Sequence, residues 1–195
     1  MIKMKVFSIY IFLACLSVFC NSCREPLSPK PRGYFRMGFP EKEYGLFKSD
    51  CNFSFEYPVY GKIDNVDLKN AEPCWYNINF NEYRATIYIT YKQLTGNKLS
   101  EHIEDVRRIV YKHSIKADDI LEARIDIPEQ QVYGILYDIK GNAASSVNFY
   151  ITDSTSGFLS GSLYFNLKPN ADSLAPAIQF FRKDIVHLIR SFSWE

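Results

Sequence analysis

Between Gln131 and Pro176 three apolar runs follow one another with only short links of small and polar residues, and that spacing limits the architecture more than any other feature of the chain. The runs 132–139, 145–152 and 159–166 have strand length and are rich in β-branched and aromatic side chains. Gly141-Asn142 and the segment 153–157 hold the residues that turns favour. Links this short join antiparallel neighbours, because a parallel pair needs a crossover of a dozen residues or more. The stretch closes on the start of a helix, for which Asp172 or Ser173 is the expected cap.

The chain before it follows the same logic. Residues 52–57 alternate, with Phe53, Phe55 and Tyr57 on one face, and Pro58 ends the run. Residues 75–80 point Tyr76, Ile78 and Phe80 inward, and 84–91 do the same with Ala85, Ile87, Ile89 and Tyr91. Residues 61–73 between these runs read as a polar loop, and Asn81-Glu82-Tyr83 as a hairpin link. The period then lengthens: Leu99, Ile103, Val106 and Val110 predict an amphipathic helix over 99–112. A strand over 122–127 turns through Pro128 into the run at 132. In the last helix Leu174, Ile178, Phe181, Ile185, Leu188 and Phe192 form one stripe, with Pro176 expected in the first turn. Apolar helix stripes must cover a sheet. The expectation is an α+β fold, a mostly antiparallel sheet of about six to seven strands covered by two main helices. The layout resembles the PsbP/Mog1-like sandwich.

The N-terminus is of another kind. Lys3 and Lys5 precede an apolar run from Val6 to Cys20, and Asn21-Ser22-Cys23 follows. This pattern is that of a secretory signal, and the run falls short of the roughly 20 residues that span a bilayer. Cys23 after Ser22 resembles a lipobox, although Cys20 stands where Leu is usual. The reading is a signal peptide over 1–22, acylation (palmitate) at Cys23, a proline-rich tether over 23–49 and a single α+β domain over 50–195. Acyl chains hold a protein on a membrane at about 0.8 kcal/mol per buried methylene. Glu25 is the lone acid close to Cys23, so the domain is expected to face the periplasm. Cys51 and Cys74 are then the cysteines left in an oxidising compartment, and a disulfide is expected; two free buried thiols or a metal site are the alternatives.

Taken together, the lipobox, Pro-Lys-Pro-Arg-Gly-Tyr-Phe at 29–35, Cys51, Cys74-Trp75, the segment 112–118, Tyr133-Gly134, 141–146, 152–155 and 169–176 resemble the gliding-motility lipoprotein GldD family of Bacteroidetes. The resemblance implies a lipid-anchored envelope protein needed for gliding and linked to type IX secretion. It implies no enzymatic activity, no cofactor and no catalytic residue.

The residues agree. Basic and acidic side chains number 23 and 22, and no basic stripe marks a nucleic-acid surface. His102, His113 and His187 adjoin no nucleophile motif, and Ser145-Ser146 lacks a nucleophile elbow. Asp138 and Asp153 fall at opposite ends of their ladder, and Asp153 fits a turn better than a cation site. The candidates for partner contact are Arg32, Tyr34 and Phe35 in the tether, with Asn142, Ser145, Asp153 and Ser154 in the hairpin loops. The leading expectation is a non-enzymatic part of the motility and secretion machinery acting through protein contacts; the runner-up is a periplasmic small-ligand or lipid-binding lipoprotein.

Overall fold

The computed structural model describes residues 37–66, 73–96, 98–112, 116–167 and 170–195. The chain divides into units 1–33 and 34–195, and every described residue belongs to the second. Its elements are β1 (Tyr44–Lys48), β2 (Phe53–Pro58), β3 (Lys62–Asn65), β4 (Tyr76–Phe80), β5 (Ala85–Gln93), α1 (Leu99–Lys112), β6 (Ala117–Ile127), β7 (Val132–Gly141), β8 (Ser145–Thr152), β9 (Gly157–Phe165), α2 (Ala171–Ser191) and β10 (Ser193–Trp194). Two antiparallel sheets result, one of seven strands in the order β3-β4-β5-β9-β8-β7-β6 and one of three, β1-β2-β10. This is the expected α+β sandwich, with a second small sheet that the sequence pattern did not show.

Three strands lie where the sequence pattern predicts none, and β6 starts at Ala117, five residues before the expected 122. The sequence predicts a loop over 61–73, yet β3 lies there; Ile63 is its one apolar residue, so no alternation betrays it. Pro40 and Gly45 place residues 37–49 in the expected tether, yet β1 pairs with β2 over its whole length. Its apolar residues fail to alternate cleanly, since Leu46 is 60% exposed beside Phe47. β10 is two residues long, too short for any periodic signal.

The main core lies where α2 packs against β8 of the large sheet and β2 of the small one. Phe53, Phe55, Ile78, Phe80, Phe149, Phe181, Ile185 and Phe192 are all essentially inaccessible there. Each such side chain contributes about 1.5–3 kcal/mol by leaving water. The predicted α2 stripe is buried except for Ile178, which is half-buried. The helix starts earlier than expected: Asn170 caps it by accepting from the Ser173 amide at 3.2 Å. Pro176 therefore sits in the second turn, not the first, where it removes a helical hydrogen bond. A smaller core on the other face joins Val110 of α1 to Tyr137, Ile139, Tyr150 and Phe158.

The β4–β5 and β6–β7 links use one device. A single 3-10 turn (Asn81–Tyr83, Pro128–Gln130) ends in a left-handed residue, Arg84 or Gln131, whose amide bonds back three positions. Gly134 is the position with least room in the sheet. A Cβ there would come within 1.9 Å of the Tyr150 carbonyl oxygen, so no other residue fits without moving β7 off β8.

Candidate functional site

Cys23, Arg32, Tyr34, Phe35 and His113 lie outside the described residues. The four loop candidates are placed, and they do not form one surface. Asn142 lies before β8 and Asp153 after it, so a whole strand separates them. The Asn142 side-chain oxygen accepts from the Ala171 amide at 2.8 Å, which ties this turn to the first turn of α2. Ser145 is fully buried; its hydroxyl lies 3.0 Å from the Leu163 carbonyl and 3.1 Å from Asn148 Oδ1. Ser154 is exposed, with φ +70°, and its amide donates to Thr152 Oγ1 at 2.9 Å.

Asp153 organises the β8–β9 turn. One carboxylate oxygen accepts from the amides of Thr155, Ser156 and Gly157 at 2.8–2.9 Å, and the other from the Ser156 hydroxyl. Partial burial works against the charge, but the Gly157 amide, the Ser156 hydroxyl and the other two amides outweigh it and hold the carboxyl down to about 2. Because the folded value lies below the ordinary 3.8, this group's contribution is present above about pH 4 and fades as pH falls toward 2. Asp153→Asn is expected to cost about 1 kcal/mol at pH 7 and to flatten that acid limb. Urea unfolding at pH 7 and pH 3 checks both.

A second cluster was missed from the sequence. Asp184 on α2 has no exposed side-chain surface, yet it is a carboxylate. Lys42 Nζ lies 2.7 Å from both of its oxygens, Tyr60 donates to Oδ2 at 2.7 Å and Tyr44 donates to Oδ1 at 3.0 Å. Lys42 also donates to the Phe180 carbonyl at 3.1 Å and rests on the Phe180 ring. Burial lowers the Lys42 pKa against the pull of Asp184, and burial followed by the Asp184 charge and hydrogen bonds raises both tyrosines. Next to this clamp, His187 stacks on Tyr44 at 3.6 Å between centroids and meets Glu56 at 2.6 Å. The cluster fastens the segment before β1, and β1 and β2 themselves, to α2. One signal was available: position 184 falls within the apolar stripe, three residues after Phe181 and four before Leu188.

His102 is half-buried, with its ring 5.5 Å from that of Phe158. Asp138 forms a two-pronged ion pair with Arg182 of α2, at 2.6 and 2.8 Å. Among the described residues, no group of three or more His, Cys, Asp or Glu side chains is placed to hold a metal. Cys51 and Cys74 are joined in a disulfide, with Cα atoms 6.2 Å apart.

Two concavities flank one strand. A groove of about 450 Å³ lies between α1 and the sheet, lined by Leu99, Ile103, Glu122, Ile135 and Tyr150. A second, of about 370 Å³, lies on the opposite face between β6 and α2, lined by Ala123, Ile125, Ile127, Val186 and Ile189. Both open at β6, the terminal strand of the large sheet.

An antiparallel sheet with α2 filling one face and the shorter α1 the other defines an α+β sandwich, and the same fold is found in the solution structure of cyanobacterial PsbP (CyanoP) from Synechocystis sp. PCC 6803. The TM-score is 0.50 at 13% identity, over 85% of this chain and 99% of that one, a likeness of fold alone. Comparison with curated proteins gives no match. The chain belongs to the gliding motility lipoprotein GldD family, whose model matches residues 24–194. A lipoprotein family implies attachment at the cell envelope, and among the described residues no helix is long and apolar enough to cross a membrane.

Proposed function

We propose that this chain is a lipid-anchored, non-enzymatic component of the gliding motility and type IX secretion machinery, and that it works through protein contacts made from the periplasmic side. One observation carries the reading beyond the family. The space between α2 and the sheets is filled by packed rings, with Phe80 and Phe181 centroids 4.5 Å apart and Phe53 and Phe192 5.6 Å apart. Two open grooves instead lie at the surface, on both sides of an exposed strand. A carrier of small ligands or lipids buries most of its cargo in an enclosed cavity, and shallow open grooves suit another protein better. The family match opens at residue 24, directly after Cys23, which agrees with a mature chain that starts at an acylated cysteine.

The test is affinity capture of the tagged full-length chain from its native envelope, followed by mass spectrometry. Motility or secretion proteins are the expected companions; a folded, membrane-bound bait that brings down none of them overturns the reading. Cys23→Ser is expected to move the protein from the membrane to the soluble fraction and to abolish gliding while leaving thermal unfolding of the domain unchanged. Retention on the membrane after fractionation argues against the anchor.

A further inference from the structure

We propose that β6 is a self-complementary edge, through which two copies of this chain pair antiparallel about a two-fold axis at Ala123. The proposal does not depend on the motility reading. β6 has eleven residues, against five, four and two for β1, β3 and β10, the other edge strands. Among the described residues it pairs with β7 alone, so the hydrogen-bonding groups of its outer side have no strand partner. A bulge interrupts the ladder between Ala117 and Asp119. From Asp119 to Ile127 the ladder is regular, and Ala123, which is exposed, stands at its midpoint.

The side chains read the same from both ends about that point. In an antiparallel pair centred on Ala123, each residue faces the one equally distant on the far side. Glu122 then faces the second copy's Arg124, and Arg124 faces its Glu122. Leu121, 48% exposed, faces Ile125 on the side of the second groove. Ile120 faces Asp126 and Asp119 faces Ile127, so no like charges meet. Moving the axis by one residue destroys the match, because it sets Glu122 on Glu122 or Arg124 on Arg124. Direct cross-strand pairs are the unit of sheet stability, and like charges in that position oppose it.

The existing contacts allow this exchange. Arg124 pairs with Asp126 at 3.0 Å and Glu122 accepts from Tyr111 at 2.8 Å, both on exposed surface where ion pairs are weak. The two grooves leave both faces of β6 uncovered, which leaves room for a neighbouring strand and its side chains. Five charges in eleven residues, Asp118, Asp119, Glu122, Arg124 and Asp126, are what protects an open edge from indiscriminate pairing. They admit a strand with the reciprocal pattern, and this chain carries one. A closed two-fold pair also removes the exposed edge without growing into fibres.

Ala123→Cys in the full-length protein, expressed in its own envelope, tests the axis. Facing Cα atoms of an antiparallel pair lie about 4.5–5.5 Å apart, within the range that a disulfide spans. The expected result is a reductant-sensitive species of twice the monomer mass, whose linked peptide joins position 123 to position 123. Glu82→Cys on the β4–β5 turn, far along the chain from β6, should stay monomeric. Adding Glu122→Arg to Ala123→Cys places arginine against arginine and should lower the cross-linked fraction about tenfold. Adding Arg124→Glu as well should restore it. The proposal is overturned if the new thiol reacts with a maleimide but forms no dimer, if it links to a different protein, or if the charge changes leave the yield unaltered.

Discussion

Asp184→Ala is expected to destabilise the domain by about 3 kcal/mol or more, because it strands a partly buried lysine and two half-buried tyrosine hydroxyls at once. In the native chain the carboxylate accepts from Lys42, Tyr44 and Tyr60 and has no exposed surface, so each half-buried partner loses its counterpart. Asp184→Asn keeps the shape and removes the charge, and about 3 kcal/mol is expected for it. Lys42→Met combined with Asp184→Ala should cost clearly less than the sum of the two single changes, since the second removal no longer leaves an unpaired charge. Urea unfolding of the four proteins gives the coupling. The structural consequence is local as well. Lys42 precedes β1, so loss of Asp184 frees the segment that leads into β1. Trypsin should then cut after Lys42 and Lys48 well before it cuts the large sheet. Equal resistance to trypsin in the native and Asp184→Ala proteins would show that β1 and β2 hold that segment without the clamp.

The parts of this fold that were legible in the sequence are those whose own side chains carry the pattern. The helix over 99–112 and the strand over 145–152 emerge with the expected bounds, because one is amphipathic and the other is long and framed by turn residues. β8 is buried along its whole length, in the interior of the sheet between β9 and β7. Ser145 is expected at the surface because a small polar side chain beside a turn gives no sign that it will be buried and bonded to the Leu163 carbonyl of β9. β1, β3 and β10 stayed hidden because an edge strand of two to five residues owes its existence to its neighbour, not to its composition. The clamp joins residues 142 positions apart, and its only local trace is a carboxylate inside an apolar stripe. The β6 edge was visible in part: the strand was expected from 122, and the acidic residues that lead into it concealed its first five positions.

Removing the disulfide should cost about 3 kcal/mol, and how the cysteines are replaced should matter nearly as much as that they are. The sequence separation of 23 sets the loop-closure contribution at roughly that size. The bond has a second role that loop length does not capture. Cys51 leads into β2 of the small sheet and Cys74 into β4 of the large one, so the bridge fastens the two sheets together at one end. Tyr76 reinforces that end, with its hydroxyl 2.9 Å from Ser49 Oγ and its ring 4.9 Å from Phe47. The clamp at Asp184 holds other residues of the same small sheet and survives reduction. Amides of β1 and β2 should therefore exchange faster in Cys51→Ala/Cys74→Ala while those of β8 and β9 keep most of their protection. Cys74 also has φ +64°, a left-handed backbone that costs a residue with a Cβ about 1–2 kcal/mol. Cys51→Ala/Cys74→Gly should consequently be more stable than the double-alanine protein by up to about 1 kcal/mol, the entropy of glycine offsetting part of the relief. Should the glycine version prove the weaker of the two in urea, Cys74 is not left-handed once the bond is gone, and the turn before β4 is imposed by the disulfide itself.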